Sequence, residues 1–187
     1  SMDSVMLAAA CPAKDGQSVL DLGCGVGSVG LCILERLPAS TLYGVDIQND
    51  HIEAARRNAA LNGAAHRAEF YTSDIRNLEM EPAHHVVCNP PYLEEGAHLK
   101  SPSEARARAM GHIEKGIDIY DWITCAWRHI KGQGSLSIIH SATQIDDIIH
   151  ALYGSEGGKR FGNVEIIPLW PRTGEPAKRV IIRAYKH

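Results

Sequence analysis

The chain has 187 residues, 44% hydrophobic and 22% charged, with 19 basic against 22 acidic side chains and a formal net charge of −3. Those values describe one globular domain with a substantial core; they speak against a disordered chain and against a protein that grips nucleic acid over its whole surface, and leave room for a local basic patch. The five cysteines form no C-x-x-C pair and the ten histidines no H-x-x-x-H pair, so reduced thiols and no metal are expected. The apolar runs fall short of a membrane span and the start lacks the basic-then-apolar build of a signal peptide, so no membrane association and a cytoplasmic location are expected.

In chain order, Asp3 is positioned to cap a short helix over 4–10, which Pro12 ends. A buried strand over 17–22 runs into Gly23-Cys24-Gly25-Val26-Gly27, followed by an apolar-faced helix over 28–37. Strand, glycine turn and helix open a nucleotide-binding βαβ unit. A second strand over 41–45 ends in Asp46, and Asn49 is expected to cap a helix over 49–61 that Asn62-Gly63 stops. A third strand over 69–72 ends at Ser73-Asp74-Ile75, and a fourth over 85–88 delivers Asn89-Pro90-Pro91-Tyr92.

The segment 93–116 is polar without a firm period and reads as a long functional loop. A helix over 117–130 follows, Gly132 and Gly134 turn the chain into a strand over 135–140, and a further helix covers 143–153. Two last strands, 163–168 and 179–185, flank Trp170-Pro171-Arg172-Thr173-Gly174-Glu175-Pro176 as a hairpin. The pattern predicts an α/β fold in one domain over 1–187, with a seven-stranded, largely parallel sheet, a C-terminal antiparallel hairpin and helices on both faces.

The chemistry is concentrated at Asn89-Pro90-Pro91-Tyr92. Two prolines stop the strand, and Asn89, preceding one of them, is held extended. An Asn side-chain oxygen beside a fixed main-chain carbonyl gives two uncharged acceptors. They suit an amide or aromatic NH2 group, whose delocalised lone pair becomes localised when both hydrogens are held. Tyr92 offers a ring face for a planar group.

The glycine turn admits two cofactors. Gly25, Gly27 and Gly30 satisfy G-x-G-x-x-G, and Asp46 stands where a dinucleotide fold keeps its ribose acid. Against a dehydrogenase, Asp21 in the turn would repel a pyrophosphate but could pair with an ammonium group. Asp74 gives an acceptor for an adenine amine, and a dehydrogenase has no use for the Asn-Pro-Pro-Tyr segment.

The combination of Val19-Leu20-Asp21-Leu22-Gly23-Cys24-Gly25-Val26-Gly27, Val45-Asp46-Ile47, Ser73-Asp74-Ile75 and Asn89-Pro90-Pro91-Tyr92 resembles class I S-adenosylmethionine-dependent methyltransferases that act on amines. The resemblance implies a Rossmann-like fold and S-adenosylmethionine as cofactor, with S-adenosylhomocysteine as product. It puts Gly23, Gly25 and Gly27 under the cofactor and Asp21 near its methionine moiety. Asp46 with Ile47 would meet the ribose, Asp74 with Ile75 the adenine, and Asn89 with Pro90 the target nitrogen.

The same motif serves adenine, guanine and glutamine nitrogens. The stretch Asp3-Ser4-Val5-Met6-Leu7-Ala8-Ala9, the loop Ser101-Pro102-Ser103 with Arg106 and Arg108, and the ending from Pro168 to Arg179 are similar to bacterial adenine-N6 methyltransferases of a valine tRNA. Members of that group carry an aromatic and basic segment before the position matching Asp3, so a short native segment ahead of Ser1 is expected. From residue 159 onward seven Lys or Arg face two acids, which favours RNA. Pro91, Tyr92, Arg106, Arg108, Trp170, Arg172, Lys178 and Arg179 are the candidate substrate contacts. The alternatives are a glutamine methyltransferase acting on a translation factor and a cofactor-binding module that needs a protein partner.

Overall fold

The computed structural model describes residues 1–91, 116–153 and 161–186. Seven strands form one sheet: β1 Ser18–Leu22, β2 Thr41–Asp46, β3 Ala68–Thr72, β4 Ala83–Cys88, β5 Ile130–Ser141, β6 Phe161–Leu169 and β7 Arg179–Lys186. Their order is β3-β2-β1-β4-β5-β7-β6. The pairs from β3 to β5 are parallel, and β7 runs antiparallel to both β5 and β6. The order turns between β1 and β4, the crevice in which open α/β sheets receive ligands at the strands' carboxyl ends.

The described helices are α1 Met2–Ala10, α2 Ser28–Arg36, α3 Asn49–Leu61, α4 Ile119–Arg128 and α5 Ile145–Tyr153. Alternation along the strands sends Leu20, Leu22, Val86 and Cys88 into a cluster with α4 and α5, while Val19 and Val87 meet Leu7, Val29 and Ile33 of α1 and α2. A third cluster packs Ile52, Ala55 and Ala59 of α3 on Leu42 and Phe70. Central strands buried on both faces explain the near-continuous apolar runs in the sequence.

Several local expectations change. Ser1, not Asp3, caps α1 by accepting from the Ser4 N–H, and Asp3 lies in the first turn. Gln48 occupies the cap of α3 without a side-chain bond, while Asn49 accepts from the Thr72 hydroxyl instead. The helix expected over 117–130 is shorter, because Asp118 and Asp121 form a reciprocal capping box at its start and the chain is already strand at Ile130. Gly132 and Gly134 therefore lie inside β5, where Gln133 takes up a φ of 65°. The expectations placed on Tyr92, Arg106, Arg108 and the loop 93–116 fall on residues outside the described ones, apart from Gly116.

Candidate active site

The turn between β1 and α2 is built on left-handed glycines, with φ of 67° at Gly23, 53° at Gly25 and 85° at Gly27. Its path is pinned at three points. The Cys24 N–H donates to the Val45 carbonyl and the Gly27 N–H to the Cys24 carbonyl, both at 2.9 Å. The Asn58 amide of α3 donates to the Val26 carbonyl at 2.9 Å. Nothing lies within 4 Å of a Cβ built on Gly25, so the turn's outer side is open to a ligand's close approach.

Asp21 is 1% exposed, and its Oδ2 accepts from the Gly30 N–H at 3.1 Å. Gly30 is in the first turn of α2, whose cap residue Gly27 makes no side-chain bond. The carboxylate thus occupies the helix end that a dinucleotide's pyrophosphate takes in the competing fold. Burial, and secondarily the neighbouring Asp46, push the Asp21 carboxyl up to about 7, against the opposing pull of the Gly30 bond.

Asp46 ends β2 with each carboxylate oxygen partly used: Oδ2 accepts from the Gly25 N–H and Oδ1 from the Gln48 N–H, both at 2.9 Å. A carboxylate oxygen has two acceptor sites, so one remains on each, the pattern that the two hydroxyls of a ribose require. His51 approaches the same Oδ1 with its Nδ1 at 3.4 Å. Ile47 beside it is 56% exposed, an uncovered apolar side chain at the rim. Asp74 caps a one-turn helix, Ile75–Asn77, by accepting from the Arg76 N–H, and the Arg76 guanidinium closes on both its oxygens. Arg76 holds that carboxyl below the usual range. Ile75 is buried against the α4 side of the sheet.

Asn89 and Pro90 follow β4 directly, half-buried and buried, and Pro91 is exposed. The strand register brings a second group to this edge. Cys88 pairs with Ile138, Ser141 with Arg179, and Arg179 with Leu169, so the connection 170–178 leaves the sheet at the same carboxyl rim as Asn89. At strand spacing, Arg179 is about 10 Å and Trp170 about 14 Å across from β4. Trp170 is 61% exposed, and the Arg172 side chain is solvated beside Glu175 at 3.8 Å. Lys178 is exposed, whereas Arg179 is tied to Asp3 of α1 at 3.4 Å.

Sequence reasoning missed Asn58, Arg76 and Trp122. The first two carried a weak signal, an amide on the helix facing the turn and a cation two residues after a capping Asp. Trp122 reads as one more apolar position of α4. Among the described residues no group of three or more His, Cys, Asp or Glu could hold a metal ion, and no helix is long and apolar enough to cross a membrane.

The chain matches the family described as methyltransferase small domain over residues 2–154. A protein of Aeromonas hydrophila named tRNA1(Val) (adenine(37)-N6)-methyltransferase is 28% identical over 184 residues, which are 97% of this chain and 74% of that one. One of the same name from Vibrio campbellii is 35% identical over 111 residues, 58% of this chain and 46% of its own. Among solved structures, an Agrobacterium tumefaciens protein described as a predicted O-methyltransferase superposes with a TM-score of 0.76 at 28% identity, covering 99% of this chain and 81% of that one. TrmN of Thermus thermophilus shares the fold with a TM-score of 0.70 at 18% identity, over 98% and 48% of the two chains.

Proposed function

The chain belongs to the methyltransferase small domain family, and on that premise we propose that it methylates the exocyclic N6 amine of an adenine in tRNA. It is an S-adenosylmethionine-dependent methyltransferase. Action on tRNA is supported by the names of its relatives from Aeromonas and Vibrio, and the reading takes residues 1–187 as a single cytoplasmic domain. The observation that carries it is the shared rim. Two neutral acceptors at Asn89 and Pro90 and an exposed Trp170 flanked by Arg172 and Lys178 lie along one edge of the sheet. An unstacked base and its phosphates need that combination.

S-adenosylmethionine supplies a methyl group bonded to a positively charged sulfur. In this reading Asp46 accepts from the ribose hydroxyls with its two remaining acceptor sites, Ile47 flanks the adenine with Ile75 packed behind Asp74, and Asp74 meets the adenine amine once the Arg76 guanidinium, which fills its acceptor sites here, turns aside. Asp21 faces the ammonium end, and Gly23, Gly25 and Gly27 let the main chain approach closely. Asn89 Oδ1 and the Pro90 carbonyl accept the two hydrogens of the target amine, localising its lone pair and aiming it. The methylated amine then releases its extra proton to water, so no general base is required. Pro91 packs on the base, Arg172 and Lys178 meet the phosphates, and Trp170 holds a neighbouring base; Arg179 would join them by giving up Asp3. Tyr92, Arg106 and Arg108, outside the described residues, are assigned to the base and phosphates from the sequence alone.

The test is transfer of labelled methyl into total bacterial tRNA and, in parallel, into total protein. Label recovered as N6-methyladenosine is the expected result. Label in glutamine of a translation factor would replace the acceptor assignment, and label in neither, with cofactor still bound, would point to a missing partner.

A further inference from the structure

Gly23 leaves β1 with a φ of 67°, and a Cβ built on it would lie 2.6 Å from Cη2 and 3.0 Å from Cζ3 of Trp122. The benzo edge of the indole therefore rests on the α-carbon that opens the glycine turn, in space that any other residue at this position would need. Trp122 is only 6% exposed. Its cluster contains Leu22, Val45 and Cys88, at or next to the carboxyl ends of β1, β2 and β4, and Ile75 after β3. One turn further along α4 lies Cys125, buried in the same cluster as Cys88. The helix that presents the indole is itself fixed at its start by the Asp118–Asp121 capping box.

A turn with three glycines in five residues is intrinsically loose. Its ordered form must place the Gly25 N–H 2.9 Å from Asp46 Oδ2, two residues after the glycine that the indole touches. We propose that Trp122 is a positioning residue of the methyl-donor pocket: its rigid ring holds the path of the turn from Asp21 to Gly25, and so the orientation of Asp46, before the donor arrives. A flat, buried side chain with two rotatable bonds gives the turn a wall that an aliphatic residue could not supply at the same place. Ordering the turn in advance lowers the cost of binding. The inference rests on reading this edge as the donor's site.

Binding of S-adenosylhomocysteine, which cannot react, is measured by calorimetry on the wild-type chain and on Trp122→Phe and Trp122→Leu. The expected result is roughly tenfold weaker binding in Trp122→Leu and an intermediate loss in Trp122→Phe. The KM for S-adenosylmethionine rises in step, and kcat at saturating donor is retained. Unchanged affinity in Trp122→Leu, with the wild type binding normally, would overturn the proposal while leaving the site intact. A fall in kcat with Kd and KM unchanged would also overturn it, since that pattern reports fewer folded molecules or a loss confined to the transition state and not a donor pocket left unformed. If Trp122→Leu does not fold, Trp122→Phe decides by the same two readouts. A wild-type chain that binds no S-adenosylhomocysteine would remove the site and this proposal together.

Discussion

The carboxylate of Asp21 and the main-chain N–H of Gly30, nine residues apart, meet at 3.1 Å inside the protein, so an acidic side chain from β1 caps helix α2 through space. The arrangement has an electrostatic cost, because burial raises the Asp21 carboxyl to about 7 from an ordinary 3.8. Between those two values the folded chain holds a proton that the unfolded chain has released. The ligand-free fold therefore loses stability as pH rises from about 4 to 7, and the loss is complete above that window. Asp21→Asn keeps an acceptor for the Gly30 N–H and removes the charge. Its melting temperature is expected to lack this downward slope and to exceed the wild type's at pH 8, while its affinity for S-adenosylmethionine falls. Thermal melts from pH 5 to 8 with parallel binding titrations check both halves.

Asn89→Ala removes one of the two acceptors proposed for the target amine. Methyl transfer should drop by roughly 10²- to 10³-fold, the scale for losing one aimed hydrogen-bond partner. Binding of S-adenosylhomocysteine should change little. Single-turnover transfer and calorimetry on the same preparation separate the two effects, and retained turnover would remove Asn89 from its assigned role.

At Gly30 a Cβ would lie 2.4 to 3.0 Å from three carbons of the buried Leu42. Gly30→Ala is expected to destabilise the fold by about 1 to 3 kcal/mol through overpacking, even though alanine favours a helix by about 1 kcal/mol. Chemical denaturation gives the sign directly.

The hairpin connection should matter for RNA and little for stability. Trp170→Ala should weaken tRNA binding with the melting temperature nearly unchanged, since the ring is 61% exposed. Arg172→Ala should lower the slope of log affinity against log salt by about one. Binding isotherms at several salt concentrations distinguish the stacking contribution from the ionic one.

The sheet was legible because its strands are short, apolar and separated by glycine or proline punctuation, and each acid at a strand end announced a rim position. Helix caps were less legible: Ser1 displaced Asp3 and Gln48 displaced Asn49, since a cap depends on where the chain enters the first turn and not on residue type alone. The start of β5 was misread because Gly132 and Gly134 signal a turn locally. The strand passes through them, and Gly134 is needed where a Cβ would strike the His84 carbonyl at 2.2 Å. At the site, Asp21, Asp46 and Asp74 were found as residue types in a pattern. That Arg76 covers Asp74 and Trp122 backs Gly23 follows from packing between distant segments, which no local pattern encodes.

The strand Arg179–Lys186 lies between β5 and β6 although it is the later of the two hairpin strands in the chain. During synthesis β6 therefore leaves the ribosome before either of its edges has a neighbour to bond. It reaches the sheet only through β7, its partner among the described strands, so the β5 edge stays uncovered until the last strand has been made. A released chain ending twenty residues short of Lys186 would lack β7 and leave the β5 edge bare, a state open to mispairing. The connection 170–178 would be among the last parts of the enzyme to take shape.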